Sequence, residues 1–121
     1  MSAVRSSNND AYQPEAGDLI WTDFDPRVGR EQSGRRPALV VSPSEFWRAS
    51  QFAVVCPITS RIRPFNLSVV LPSGLPIGGE ILTGQVRSID TVARPIAFAG
   101  VRVGPALLAE VRAKLVALIG A

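Results

Sequence analysis

The chain has 121 residues, 46% of them apolar and 19% charged, with a net charge of +3. That balance suits one globular domain and excludes a disordered chain. There is no His and only one Cys, Cys56, which excludes Ser-His-Asp triads, Cys-His dyads, His-ligated metal centres and intrachain disulfides.

Residues 1–16 are polar and read as a flexible tail. Arg5 against Asp10 and Glu15 gives the tail a net −1 and leaves +4 on the body, residues 17–121. The tail lacks the apolar stretch of a secretory signal, and no apolar run reaches the roughly 20 residues of a membrane span. A cytoplasmic protein with no membrane partner is the expectation.

Residues 18–24 (DLIWTDF) are rich in β-formers and predict a first strand. Residues 25–36 (DPRVGREQSGRR) have no periodicity and predict a long loop. An apolar strand follows at 37–42, a short helix at 43–50 and a second buried strand at 51–59. Residues 60–64 form a basic turn, 65–71 a strand, and 72–79 a Pro/Gly-rich connection. Residues 80–90 (EILTGQVRSID) read as one long strand or two abutting strands broken at Gly84. A last strand lies at 96–103.

After Gly104 the period changes. Pro105 suits the first turn of a helix. Leu107, Leu108, Val111, Leu115, Leu118 and Ile119 recur at helical spacing and make one apolar face, and Gly120 ends it. The fold class is therefore mainly β with a C-terminal helix. Strands this short predict a small, strongly bent antiparallel barrel or half-barrel, with the helix over one end.

Twelve of the thirteen cationic side chains are Arg. The guanidinium is a planar fork that matches phosphate, although GC-rich coding also favours Arg. Four arginines, Arg27, Arg30, Arg35 and Arg36, crowd the 25–36 loop against only Asp25 and Glu31. A carboxylate among arginines stays ionised and is available as a base at neutral pH. The loop therefore reads either as a phosphate-binding segment with an embedded base or as a solvated basic loop. Thr59 and Ser60 offer hydroxyls at a strand end, next to Arg61 and Arg63. Gln85 and Arg87 alternate with Val86 and are expected on one face of their strand. Trp21 and Trp47 are expected in the core, with base stacking as the other option. Asp23 and Asp25 share a face, but two carboxylates make a weak magnesium site.

The string GDLIWTDFDPRVGREQSGRRPALVVSP at 17–43 closely resembles the opening of MazF/PemK-type toxins. The resemblance continues through PITSR at 57–61, GQVRSID at 84–90 and the terminal helix ending in LIG. It implies an SH3-like/CcdB-like antiparallel barrel that forms a homodimer and pairs with a cognate MazE-like antitoxin. It implies a metal-free endoribonuclease, without cofactor, whose dimer groove holds single-stranded RNA. Carried over by position, Arg36 matches the catalytic arginine, Thr59 the threonine that supports it, and Glu31 a glutamate implicated in activity. Gln85 and Arg87 match groove residues, with Arg27, Arg30, Arg35, Ser60 and Arg61 as further RNA contacts.

Such chemistry needs no metal-bound water, because the RNA's own 2′-hydroxyl can attack the adjacent phosphorus. What is needed is a base, positive charge on the phosphorane and help for the leaving 5′ oxygen. Two other functions remain open on the same barrel. One is a non-catalytic CcdB-like toxin that binds a protein such as DNA gyrase. The other is a decayed toxin that only binds its antitoxin. Neither needs the Glu31, Arg36 and Thr59 set.

Overall fold

A computed structural model describes residues 12–24, 35–63 and 67–120. Its elements run β1 (Asp18–Asp23), β2 (Arg35–Val40), α1 (Ser44–Ser50), β3 (Phe52–Thr59), β4 (Ser68–Val70), β5 (Glu80–Leu82), β6 (Arg87–Asp90), β7 (Ile96–Arg102) and α2 (Pro105–Ile119). The strands form one antiparallel sheet in the order β4-β5-β3-β2-β1-β7, with β6 also on β3. Among the described residues no ladder joins the two ends, so the expected small barrel is a bent sheet that does not close.

β3 is shared by three partners. One edge pairs with β2. On the other edge, Phe52–Val55 pairs with β6 and Ile58–Thr59 pairs with β5. The change of partner coincides with a single 3₁₀ turn at Thr83–Gln85, so residues 80–90 are two strands. Pro57, which cannot donate to a ladder, stands between the two pairings.

Alternation along the strands makes two apolar faces. Ile20, Ala38, Val40, Ala53, Val55 and Ile89 form one buried cluster. Leu19, Leu39, Cys56, Ile58 and Ile81 belong to the other, joined by Val111 of α2. The helix packs on that face through Val111, beside β4 and the 3₁₀ turn at one end of the sheet. Its apolar stripe is the expected one, but Leu118 and Ile119 remain exposed at its last turn. Arg112 ties it to the sheet by donating to the Val41 carbonyl, Nη2 to O 2.8 Å. Gly120, at φ 79°, supplies the left-handed C-terminal cap.

Residues 12–16, assigned to the tail by composition, are anchored to the sheet. The Tyr12 hydroxyl donates to Asp18 Oδ2 at 2.6 Å, and Arg102 Nε donates to Asp18 Oδ1 at 2.7 Å. Ser44 Oγ donates to the Pro14 carbonyl at 3.0 Å, and Tyr12 stacks on Phe98 with ring centroids 5.3 Å apart. A buried carboxylate must be paired, and pairing Asp18 draws the preceding segment onto the strand. Residues 1–11 of the expected tail lie outside the described residues. Among the described residues no helix is long and apolar enough to cross a membrane.

Candidate active site

β2 starts at Arg35, two residues before the apolar stretch that announced it. The cause is pairing: β1 matches Asp23 with Arg35 and Thr22 with Arg36. Arg36 is thus a strand residue on a fixed backbone rather than the end of a loop. Alternation sends its side chain to the face of Ala38 and Val40 and sends Arg35 to the other face. Arg27, Arg30 and Glu31 lie outside the described residues, as does Asp25.

The β2/β3 register pairs Ala38 with Pro57. That ladder ends at this pair, and Arg36 and Thr59 lie two residues beyond it, on the same face by alternation. Thr59 in turn pairs with Glu80 of β5. One face of the sheet therefore carries two cross-strand pairs, Thr22 with Arg36 and Thr59 with Glu80.

Thr59 ends β3, and its Oγ1 accepts the Arg61 backbone N–H at 3.2 Å. This short threonine turn uses the oxygen as an acceptor and leaves the hydroxyl hydrogen for an incoming oxygen. Gly79, the residue before β5, backs the same residue. A Cβ at Gly79 would collide with the Thr59 carbonyl, and the backbone there has φ +130°. Only glycine meets both conditions without strain.

Thr59, Arg61, Arg63, Glu80, Leu82 and Gln85 line one open depression of about 270 Å³. Three residues singled out from the sequence, Thr59, Arg61 and Gln85, meet there. Ser60 is exposed on the adjoining turn.

Gln85 and Arg87 do not share a strand face as expected. Gln85 belongs to the 3₁₀ turn and Arg87 opens β6. Arg87 still lies on the face of Arg36, because it pairs with Val55 of the same cluster. Its guanidinium carbon stands 5.1 Å from the centroid of the Phe24 ring. A cation over an aromatic face is held by the ring's quadrupole, so Phe24 presents Arg87 to this side of the molecule. Trp21 and Trp47 serve packing: Trp21 lies against the core cluster, and Trp47 donates Nε1–H to Thr91 Oγ1 at 2.9 Å.

Sequence reasoning missed Phe24 and Glu80. Phe24 reads as an ordinary strand residue, although its place at the mouth of an Arg-rich loop was a signal. Glu80 follows a glycine pair at a strand start and looks solvent-exposed, yet it is 1% exposed. The arrangement joins a cation on a strand, a hydroxyl donor and an amide beside further arginines. Together they suit an oligomeric phosphodiester and the extra negative charge of its pentacoordinate transition state. Among the described residues no three His, Cys, Asp or Glu side chains cluster as metal ligands.

The chain is similar to known proteins in both sequence and fold. Residues 15–119 match the model of the PemK-like, MazF-like toxin of type II toxin-antitoxin systems. The chain is 41% identical over 109 residues to the endoribonuclease toxin MazF of Escherichia coli K12, covering 90% of this chain and 96% of that relative. It is 35% identical over 79 residues to the endoribonuclease EndoA of Bacillus subtilis, covering 61% of this chain and 68% of that relative. The crystal structure of MazF from Deinococcus radiodurans superposes with a TM-score of 0.81 at 40% identity, covering 91% of this chain and 99% of that one. A MazE-MazF complex from the same organism gives 0.81 at 38% identity, covering 90% and 98%.

Proposed function

From the premise that the chain belongs to the PemK-like, MazF-like toxin family, we propose that it is the endoribonuclease toxin of a toxin-antitoxin system and cuts single-stranded RNA. The observation that supports this reading is the alternation that turns Arg36, Thr59 and Arg87 to one face of the sheet, with Gln85 beside Thr59 in the same depression. A module that only binds a protein has no need of that set.

The reaction is transesterification within the RNA. The 2′-oxygen forms a bond to phosphorus, the bond from phosphorus to the 5′-oxygen breaks, and a 2′,3′-cyclic phosphate and a 5′-hydroxyl result. Glu31, one of the two carboxylates of the 25–34 segment, takes the 2′ proton. Arg36 stabilises the charge of the phosphorane. Thr59 and Ser60 donate to its non-bridging oxygens. Arg36 holds its proton too firmly to give it to the leaving 5′-oxygen, which takes a proton from water. Arg27, Arg30, Arg35, Arg61, Gln85 and Arg87 bind the strand on either side. No metal and no cofactor take part in this scheme.

The working form is a homodimer in the cytoplasm. One half-barrel is small beside an RNA strand, and α2 leaves Val116, Leu118 and Ile119 exposed for a second copy. A MazE-like antitoxin with an acidic segment covers the arginines and competes with RNA. Related toxin structures are complexes with MazE, which supports this partner. The test is incubation of the purified protein with a long single-stranded RNA in EDTA. Cleavage to cyclic-phosphate ends is expected, with DNA and 2′-O-methylated RNA resistant. Intact RNA would reject the nuclease in favour of a protein-binding toxin.

A further inference from the structure

Glu80 is a buried carboxylate that the cleavage scheme does not use. It pairs with Thr59 across the β3/β5 ladder and lines the same depression as Thr59, Arg61 and Gln85. Both of its oxygens are engaged. Oε1 accepts the Arg63 backbone N–H at 2.7 Å, and Oε2 accepts the Ser68 hydroxyl. Burial of an ionised carboxylate is costly unless its oxygens are satisfied, and bonds from N–H and O–H donors to a charged acceptor are among the stronger ones.

These bonds bracket the turn after Thr59. The Arg61 N–H is held by the Thr59 hydroxyl and the Arg63 N–H by Glu80. The backbone that carries both guanidinium groups is therefore fixed at alternate residues. From the other side, Gly79 sits against the Thr59 carbonyl. The step Gly79–Glu80 thus grips the end of β3 and the turn beyond it.

We infer that Glu80 is a positioning residue: its carboxylate, through the Arg63 amide, sets the Thr59–Arg63 turn so that Arg61 and Arg63 meet the RNA backbone. This role rests on the reading of the protein as an RNA-cleaving toxin. Glu80 takes no proton in the reaction, since both oxygens point to donors within the fold.

The experiment compares Glu80→Gln with Glu80→Met in the full chain. Glutamine keeps an acceptor for the Arg63 amide, and the Ser68 hydroxyl can turn to accept from its NH₂ group. Methionine fills the space but accepts no such bond, and it leaves the Arg63 amide and the Ser68 hydroxyl without this acceptor. Cleavage of a single-stranded RNA gives kcat and KM, and a 2′-O-methylated RNA of the same sequence gives the salt dependence of binding.

Glu80→Gln is expected within about twofold of wild type in both constants. Glu80→Met is expected to raise KM about fivefold or more with little change in kcat. It should also flatten the slope of log K against log salt by about 0.7 for each phosphate no longer engaged. A Met variant with wild-type KM and slope overturns the role. So does a Gln variant as inactive as Met, which would make Glu80 a proton acceptor. Should the Met variant fail to fold, the wild type still decides: rapid exchange of the Arg63 amide, faster than the neighbouring strand amides, overturns the role and slow exchange supports it. Wild-type protein that neither binds nor cuts RNA overturns the functional reading itself, whereas an effect confined to the variants concerns Glu80 alone.

Discussion

Thr22 stands directly opposite Arg36 in the β1/β2 ladder, and its hydroxyl is the buried side-chain oxygen among the described residues that has no hydrogen-bond partner. Thr22 is 1% exposed. A buried hydroxyl left unpaired costs about 1–3 kcal/mol. That cost sits directly beside the arginine on which the proposed chemistry depends.

Thr22→Val keeps the shape and removes the unpaired oxygen. We expect it to stabilise the protein by about 1 kcal/mol, a rise in Tm of about 4 °C for a chain of this size. Thermal melts followed by circular dichroism check it, and a lower Tm would mean that the hydroxyl is satisfied in solution.

Arg36→Ala should cut RNA about 100 to 1,000 times more slowly at saturating RNA, the usual effect of removing a transition-state charge donor. Arg35, one residue earlier but directed to the opposite face, should tolerate alanine with a change confined to binding. Single-turnover rates for the two variants separate the roles. Equal rates for Arg36→Ala and wild type would remove Arg36 from the chemistry.

Phe24→Leu keeps an apolar side chain but takes away the ring beneath Arg87. An exposed cation–π contact is worth about 0.5–1 kcal/mol, so RNA affinity should fall about two- to fivefold, with Phe24→Tyr near wild type. Binding of non-cleavable RNA measures this. A Leu variant with unchanged affinity would show that Arg87 needs no support from the ring.

Alkaline pH should weaken the fold. Burial pushes the Cys56 thiol up to about 12. Burial, and then the hydrogen bond to Asp18, push the Tyr12 hydroxyl above its ordinary range. In the unfolded chain these groups lose their protons near about 8.5 and 10. The folded state then holds more protons than the unfolded one, so stability is complete below about pH 8.5 and falls as pH climbs toward 12. Urea midpoints at pH 7, 9 and 10.5 should show the decline, and Cys56→Ala and Tyr12→Phe should each reduce its steepness. A flat profile in the wild type would contradict it.

The legible parts of the fold were those decided locally. α2 carries its own start and stop in Pro105 and Gly120, and the break between β5 and β6 is marked by Gly84. The start of β2 was hidden, because Arg35 and Arg36 look like loop residues until β1 pairs with them. Arg36 and Thr59 were recognisable as candidate site residues, but their common face depends on the β2/β3 register, which no local pattern encodes. Gln85 and Arg87 stand out in the sequence but do not share one strand face, since a 3₁₀ turn intervenes. Glu80 escaped notice because its burial comes from two donors, Arg63 and Ser68, on other elements.

β3 hydrogen-bonds to β2 on one side and to β6 and β5 on the other. A strand bonded along both edges releases its amides only when the sheet comes apart, so its interior should exchange with solvent as slowly as the molecule unfolds globally. Thr59 terminates that strand. It continues directly from that interior and is paired with Glu80 of β5 on one edge, so opening at distant elements leaves the threonine in place. Such a toxin must be silenced by covering it, not by loosening it.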